Sequence, residues 1–186
     1  MAHINSITAV RFASLAYSTG TPADFSSASA ATRGANAKAL FTGANTVVLV
    51  GDLREFPSLG TPANIVNVPV YGQAQSQQVG GQSDAPTLEF TLNYNPAEHA
   101  VLDTLRRAGT QVTWRVRLSD VDGVQSDTDV PSDSDLLYND IYFNGRVESF
   151  EITPSLSDSM QATFSVSCQS DFEGPYSEVS GTYGTP

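Results

Sequence analysis

Basic side chains are scarce in this 186-residue sequence. Lys38 is the single lysine, and nine Lys and Arg residues face 20 acids, for a formal net charge of −11. Without a cationic surplus to neutralise phosphates, the chain is ill suited to gripping nucleic acid or an anionic membrane surface. Cysteine is nearly absent as well. Cys168 stands alone, which excludes an intrachain disulfide framework, and two histidines leave little for a zinc site. The longest clean aliphatic run is Val47-Val48-Leu49-Val50, far short of the ~18 apolar residues of a membrane-spanning helix. Met1–Val10 has no basic region followed by an apolar block, which predicts a protein made and used without a secretory signal.

What is present is mostly a period of two. Leu88, Phe90, Leu92 and Tyr94 alternate with polar residues across Thr87–Tyr94. Val112, Trp114, Val116 and Leu118 do the same across Gln111–Leu118, and Met160, Ala162, Phe164, Val166 and Cys168 across Met160–Gln169. Each pattern predicts a strand with one face in a core and the other wet or against another subunit. The expected core is Leu88, Phe90, Leu92, Leu105, Val112, Trp114, Val116, Phe164 and Val166. A further strand is expected over Ile141–Ile152. Its alternation slips at Asn144-Gly145, which predicts a turn or a bulge there. Weaker strand signals lie at Ile4–Phe12 and Thr46–Leu53.

One helix is expected at about 95–108. Asn95 suits the N-cap, Pro96 the first helical position and Glu98 the first turn. Val101, Leu102, Leu105 and Ala108 form an apolar stripe. Arg106 and Arg107 fall where the helix dipole favours cations, and Gly109 suits a left-handed stop.

Three segments read as irregular: 18–45, rich in Ala, Ser, Thr and Gly; 57–86, with four prolines and a Gln-rich tract; and 119–140, with seven aspartates. Residues 171–186 read as a C-terminal tail. Structureless loops of this length in a single domain point to surfaces that order on binding. The 57–86 loop carries Ile65, Val66, Val68, Val70 and Tyr71, a β-prone patch costly to leave in water. These five are the expected subunit-contact residues.

No catalytic, cofactor or metal constellation emerges. Asp120-Val121-Asp122-Gly123 and Asp127-Thr128-Asp129 lack the glycine and glutamate spacing of a calcium loop and read as a solvated acidic loop. His3 and His99 have no nucleophile at triad-like spacing and read as ordinary surface residues. Cys168 lies on an apolar strand face, as an inert thiol would. Glu148 and Glu151 occupy the polar face of a strand, where acids need no catalytic explanation.

Three stretches in order resemble the major tail tube proteins of long-tailed, non-contractile bacteriophages. They are Val50-Gly51-Asp52-Leu53-Arg54-Glu55-Phe56-Pro57; Leu88-Glu89-Phe90-Thr91-Leu92-Asn93-Tyr94-Asn95-Pro96 with the helix after it; and Tyr142-Phe143-Asn144-Gly145-Arg146-Val147-Glu148-Ser149-Phe150-Glu151, similar to a hairpin of that family. The resemblance spans about residues 46–170. It implies an antiparallel β-sandwich or partly closed barrel with one flanking helix, in a single domain over 1–186. It implies hexameric rings stacked into a tube in the virion, assembled in the bacterial host cytoplasm. Tape-measure protein and tail-tip or terminator proteins would be partners, with DNA only in passage and no cofactor. The long loop at 57–86 would reach a neighbouring subunit or ring. The acid excess suits a conduit that repels phosphate. Two alternatives stand beside this reading. One is the tube subunit of a contractile injection or type VI secretion-like machine. The other, from a different class, is a carbohydrate-binding or adhesin β-sandwich, which would want an exposed aromatic platform; Trp114 falls instead on the apolar face.

Overall fold

The alternating segments form the backbone of the fold. The computed structural model describes residues 12–41, 47–60, 65–69, 71–72, 77–81, 85–119, 138–155, 159–179 and 182–183. In chain order the elements are β1 (Phe12–Ser18), α1 (Ala30–Leu40), β2 (Val47–Val50), β3 (Leu53–Glu55), β4 (Ile65–Val68), β5 (Gln77–Gly80), β6 (Thr87–Asn93), α2 (Pro96–Ala108), β7 (Gln111–Ser119), β8 (Tyr138–Thr153), β9 (Gln161–Cys168), β10 (Glu173–Val179) and β11 (Thr182–Tyr183). Nine strands join one antiparallel sheet with the path β2-β1-β7-β8-β9-β6-β3; β10 pairs with β8 and β11. Among the described residues the sheet is not closed into a barrel.

The 16-residue β8 is the spine. Its first half pairs with β7 and β10, and its second half with β9. The sheet curls about it, so that strands on opposite sides of β8 meet face to face. Trp114 of β7 stacks on Phe164 of β9 with centroids 6.2 Å apart, Phe164 on Phe90 at 5.2 Å, and Trp114 lies 5.2 Å from Tyr17. This β-sandwich core buries Leu88, Phe90, Leu92, Val112, Trp114, Val116, Phe164 and Val166, with Leu105 partly buried against it. Burial pushes the Cys168 thiol up to about 11, since a thiolate there would lose its hydration.

The turn or bulge expected at Asn144-Gly145 is not there: β8 runs through, and the hairpin implied for 142–151 is one continuous strand. The bulge lies further on, where the register against β9 shifts between Val147 and Ser149. Gly145 serves packing, because a Cβ there would sit 2.6 Å from Val166 Cγ1 and 3.1 Å from the Ser167 carbonyl oxygen. Thr46–Leu53 divides into β2 and β3 at Gly51-Asp52, where Asp52 takes a left-handed φ of 56°. Of Ile4–Phe12, only Phe12 lies within the described residues, as the first residue of β1. The supposed tail from 171 contributes β10 to the sheet instead.

Among the described residues two helices flank the sheet, where one is expected. α2 is built as its caps predict. The Asn95 side chain accepts from the Ala97 N–H, and Gly109 ends the helix at φ 61°. Leu102 and His99 face inward, whereas Val101 of the expected stripe is exposed. α1 lies inside the segment expected to be irregular. Five alanines over 30–40 favour helix intrinsically, yet no apolar stripe announces it, because it packs through Gly34 and Ala37. A Cβ on Gly34 would come within 2.9 Å of the Tyr176 ring.

Candidate assembly surfaces

The 57–86 segment forms a ribbon of its own. β4 and β5 pair antiparallel, with Ile65 opposite Gly80 and Val68 opposite Gln77. Among the described residues they make a separate two-stranded sheet. A two-stranded ribbon alone is marginally stable in water. Ile65 is 55% exposed, Val68 41%, Val79 52% and Tyr71 fully. Half of the eight exposed large hydrophobics among the described residues therefore sit on this ribbon; Leu49, Val101, Ile152 and Met160 are spread elsewhere. Val66 belongs to β4, but its side chain, like all of Val70, lies outside the described residues. Val79 is an apolar member the residue pattern hid within a Gln-rich tract. The ribbon segment is also nearly uncharged: Asp84 is the single acid between Pro57 and Pro86, with no Lys or Arg.

The second face of the sheet departs from expectation. Thr113, Arg115 and Arg117 alternate with the core residues of β7, and alternation predicts a wet face. All three are buried, and residues 19–29 and α1 reach this side of the sheet through Ala23, Ala37 and Phe41, the residue that caps α1. Arg117 donates to both carboxylate oxygens of Asp140 at 2.7 and 2.8 Å, and the Tyr142 hydroxyl donates to the same carboxylate at 3.0 Å. The Arg115 guanidinium lies 4.8 Å from the Phe41 ring centroid, a cation–π contact. Thr113 donates to Asn144 Oδ1, Asn144 Nδ2 to the Ala23 carbonyl, and the Ala23 N–H to Thr113 Oγ1, closing a ring of three bonds. Further along, Arg33 of α1 reaches Glu173 of β10 at 2.6 Å. The Tyr176 hydroxyl lies 3.0 Å from the Ala30 carbonyl oxygen and 3.2 Å from Glu173. Burial first, then Glu173, pushes that hydroxyl up to about 12.

The candidate chemistry resolves into structural roles. His99 is buried, contrary to its expected surface position. Its Nδ1 accepts from the Asn95 N–H at 3.0 Å, which leaves the proton on Nε2, 3.3 Å from the Gly51 carbonyl oxygen. The ring thus ties α2 to the β2–β3 link. Asp52, Glu98 and His99 bring one ligand atom each within 4.8 Å of one another. With both ring nitrogens in hydrogen bonds, the imidazole offers a metal no lone pair. Glu148 accepts from Arg146 and Ser167 on an exposed face, and the Arg146 bond first of all holds its carboxyl below the usual range. His3 and the acidic runs at 120–129 lie outside the described residues.

A groove of about 370 Å³ runs between α2 and the end of β8, lined by Tyr94, Phe150 and Ile152 with Asp103, Arg106 and Arg107 at its rim. Asp103 holds both arginines, at 2.8 Å each.

No family model matches the chain, and no curated protein matches it. Its backbone does match solved structures. The SPP1 tail tube aligns with a TM-score of 0.50 at 11% identity, over 87% of this chain and 76% of that one. A chain of the anti-feeding prophage (AFP) baseplate, in a structure symmetrised six-fold, aligns with a TM-score of 0.53 at 10% identity, over 90% and 95%. The chain has a tail tube fold. Hcp protein aligns at 13% identity over 92% and 96%, with a TM-score of 0.40. Identities this low speak for the tail tube fold alone. Among the described residues no helix is long and apolar enough to cross a membrane.

Proposed function

We propose that this chain is a structural, non-enzymatic virion subunit. Copies form hexameric rings that stack into a tail tube, the conduit for DNA delivery. Tape-measure, tail-tip and terminator proteins are its partners, and DNA passes without specific binding. The observation that carries this reading is the β4–β5 ribbon: uncovered, apolar and almost uncharged on a chain that otherwise repels its own copies. Subunits of charge −11 meet at least electrostatic cost through a neutral arm. An arm that docks on a different patch of the next copy makes a heterologous contact, which closes a ring or propagates a filament. Ile65, Val66, Val68, Val70 and Tyr71 are the proposed contact residues.

Ile65→Asp with Val68→Asp tests it. These side chains are exposed, so the variant keeps the wild-type circular dichroism and melting temperature, yet forms no tubes by electron microscopy where wild type does. Long tubes from the double variant would remove the ribbon from the interface, and outright unfolding would place it in the core. A second reading, a subunit of a contractile injection machine, draws support from the AFP alignment. A sheath gene beside this one favours it; a tape-measure gene without a sheath favours the non-contractile tube.

A further inference from the structure

The chain has nine asparagines, and only Asn144 is followed by glycine. That pairing is chemically labile. Glycine has no side chain to hinder its backbone, so its amide nitrogen reaches the asparagine side-chain carbonyl more easily than any other residue's does. We propose that Asn144 is a site of spontaneous modification which the native fold protects, and that deamidation before folding permanently bars a chain from the native state. In the reaction the Gly145 amide nitrogen attacks Asn144 Cγ and the Cγ–Nδ2 bond breaks. Nδ2 leaves as ammonia, carrying the proton of the Gly145 N–H. Water then opens the cyclic imide at either carbonyl carbon. One opening leaves aspartate, and the other leaves isoaspartate, with the main chain routed through the former side chain.

The fold opposes every motion this closure needs. Asn144 is 6% exposed and lies within β8, opposite Thr113 of β7, while Gly145 lies between Val112 and Cys168. The Asn144 N–H donates to Ser170 Oγ at 2.9 Å, and its carbonyl oxygen accepts from the Gln169 N–H at 2.7 Å. Closure requires rotation about the Asn144 Cα–C and Cα–Cβ bonds. Strand pairing fixes the first. The bonds to Thr113 and to the Ala23 carbonyl, at 2.7 and 2.8 Å, fix the second. In an unfolded chain both bonds turn freely. The native structure also depends on the amide that the reaction removes. Nδ2 is the donor that ties Ala23 to β8, across 121 residues of chain. Either product replaces that donor with a carboxylate oxygen, which only accepts. It would face the Ala23 carbonyl oxygen in a buried site, where an unpaired polar group is costly. Isoaspartate also inserts a methylene into the backbone of β8, beside a glycine with no room to shift toward Val166. A chain held long in an unfolded or misfolded state is therefore marked irreversibly, whatever the folded chain assembles into.

The test compares folded and unfolded chains. Full-length protein is incubated in mildly alkaline buffer with and without guanidinium chloride, and each asparagine is followed by peptide mass spectrometry. In denaturant Asn144 should deamidate first of the nine. In native buffer it should react at least about a hundredfold more slowly, because unfolded molecules are then about one in a thousand or fewer. Equal rates would overturn the protection. The aged denatured sample is next diluted into native buffer and separated by gel filtration. Chains with intact Asn144 should enter the folded fraction and deamidated chains the aggregate. Deamidated chains in the folded fraction, in proportion to their abundance, would overturn the bar to folding. Asn144→Asp made directly in cells gives a measurement that needs no refolding. It should be largely insoluble, or melt at a urea midpoint well below that of wild type. A soluble Asn144→Asp variant with the wild-type midpoint would overturn the proposal.

Discussion

The two faces of β7 are both buried but by opposite means. Val112, Trp114 and Val116 lie in an apolar core held by dispersion and water exclusion. Thr113, Arg115 and Arg117 lie in a polar layer whose burial is tolerable because Asp140, Asn144 and the Phe41 ring receive them. The first face tolerates no charge, and the second depends on keeping charges matched. Such layers add little net stability over an apolar equivalent, but are unforgiving when one partner is lost.

Trp114→Asp has the largest expected effect, because it places a carboxylate where Tyr17, Phe143 and Phe164 pack. The cost is at least several kcal/mol, comparable with the ~5–15 kcal/mol that holds a domain together. Circular dichroism should show no cooperative melt; a wild-type melt would mean that the core face of β7 is misassigned.

Asp140→Ala comes next, at about 3–5 kcal/mol, because it removes the carboxylate receiving both Arg117 hydrogen bonds. The sharper comparison is the pair Arg117→Leu with Asp140→Leu. It should recover most of that loss in urea titration, since the two charges disappear together. If the pair is as damaging as the single change, the layer contributes stability that charge matching does not explain.

Gly145→Ala should cost about 1–3 kcal/mol by overpacking against Val166, read as a lower urea midpoint at unchanged slope. The smallest effect is alkaline. The fold raises Cys168 from its ordinary value near 9 to about 11. Its contribution is therefore complete below about pH 9 and is lost as pH rises toward 11. Melting temperature should fall across that window. Cys168→Ala, despite a small packing loss, should make the fall shallower; an unchanged slope would assign it to Tyr17, raised to about 12 by burial, and the other tyrosines.

The apolar side of the comparison is legible in the residue pattern alone. Strict alternation in β6, β7 and β9 shows which side chains turn inward, because successive strand residues face opposite ways. The α2 caps are equally plain, since Asn95, Pro96 and Gly109 act within one turn of the chain. The polar side is not legible. Nothing within Thr113–Arg117 indicates that α1 returns from residues 30–40 to this side of the sheet, and α1 packs through a glycine and an alanine, without an apolar stripe. His99 defeats the residue pattern for the same reason: its burial depends on Gly51, 48 residues earlier in the chain.

The ribbon divides along the same line. Its apolar content and lack of charge are properties of residues 57–86 as written. Tertiary structure decided that β4 pairs with β5 rather than with the sheet edge, and so left Ile65, Val68, Val79 and Tyr71 in water. Local sequence determines which groups must leave water and which backbone conformations come cheaply. Only the three-dimensional arrangement of distant segments determines what covers them, because those contacts form between residues with no proximity along the chain.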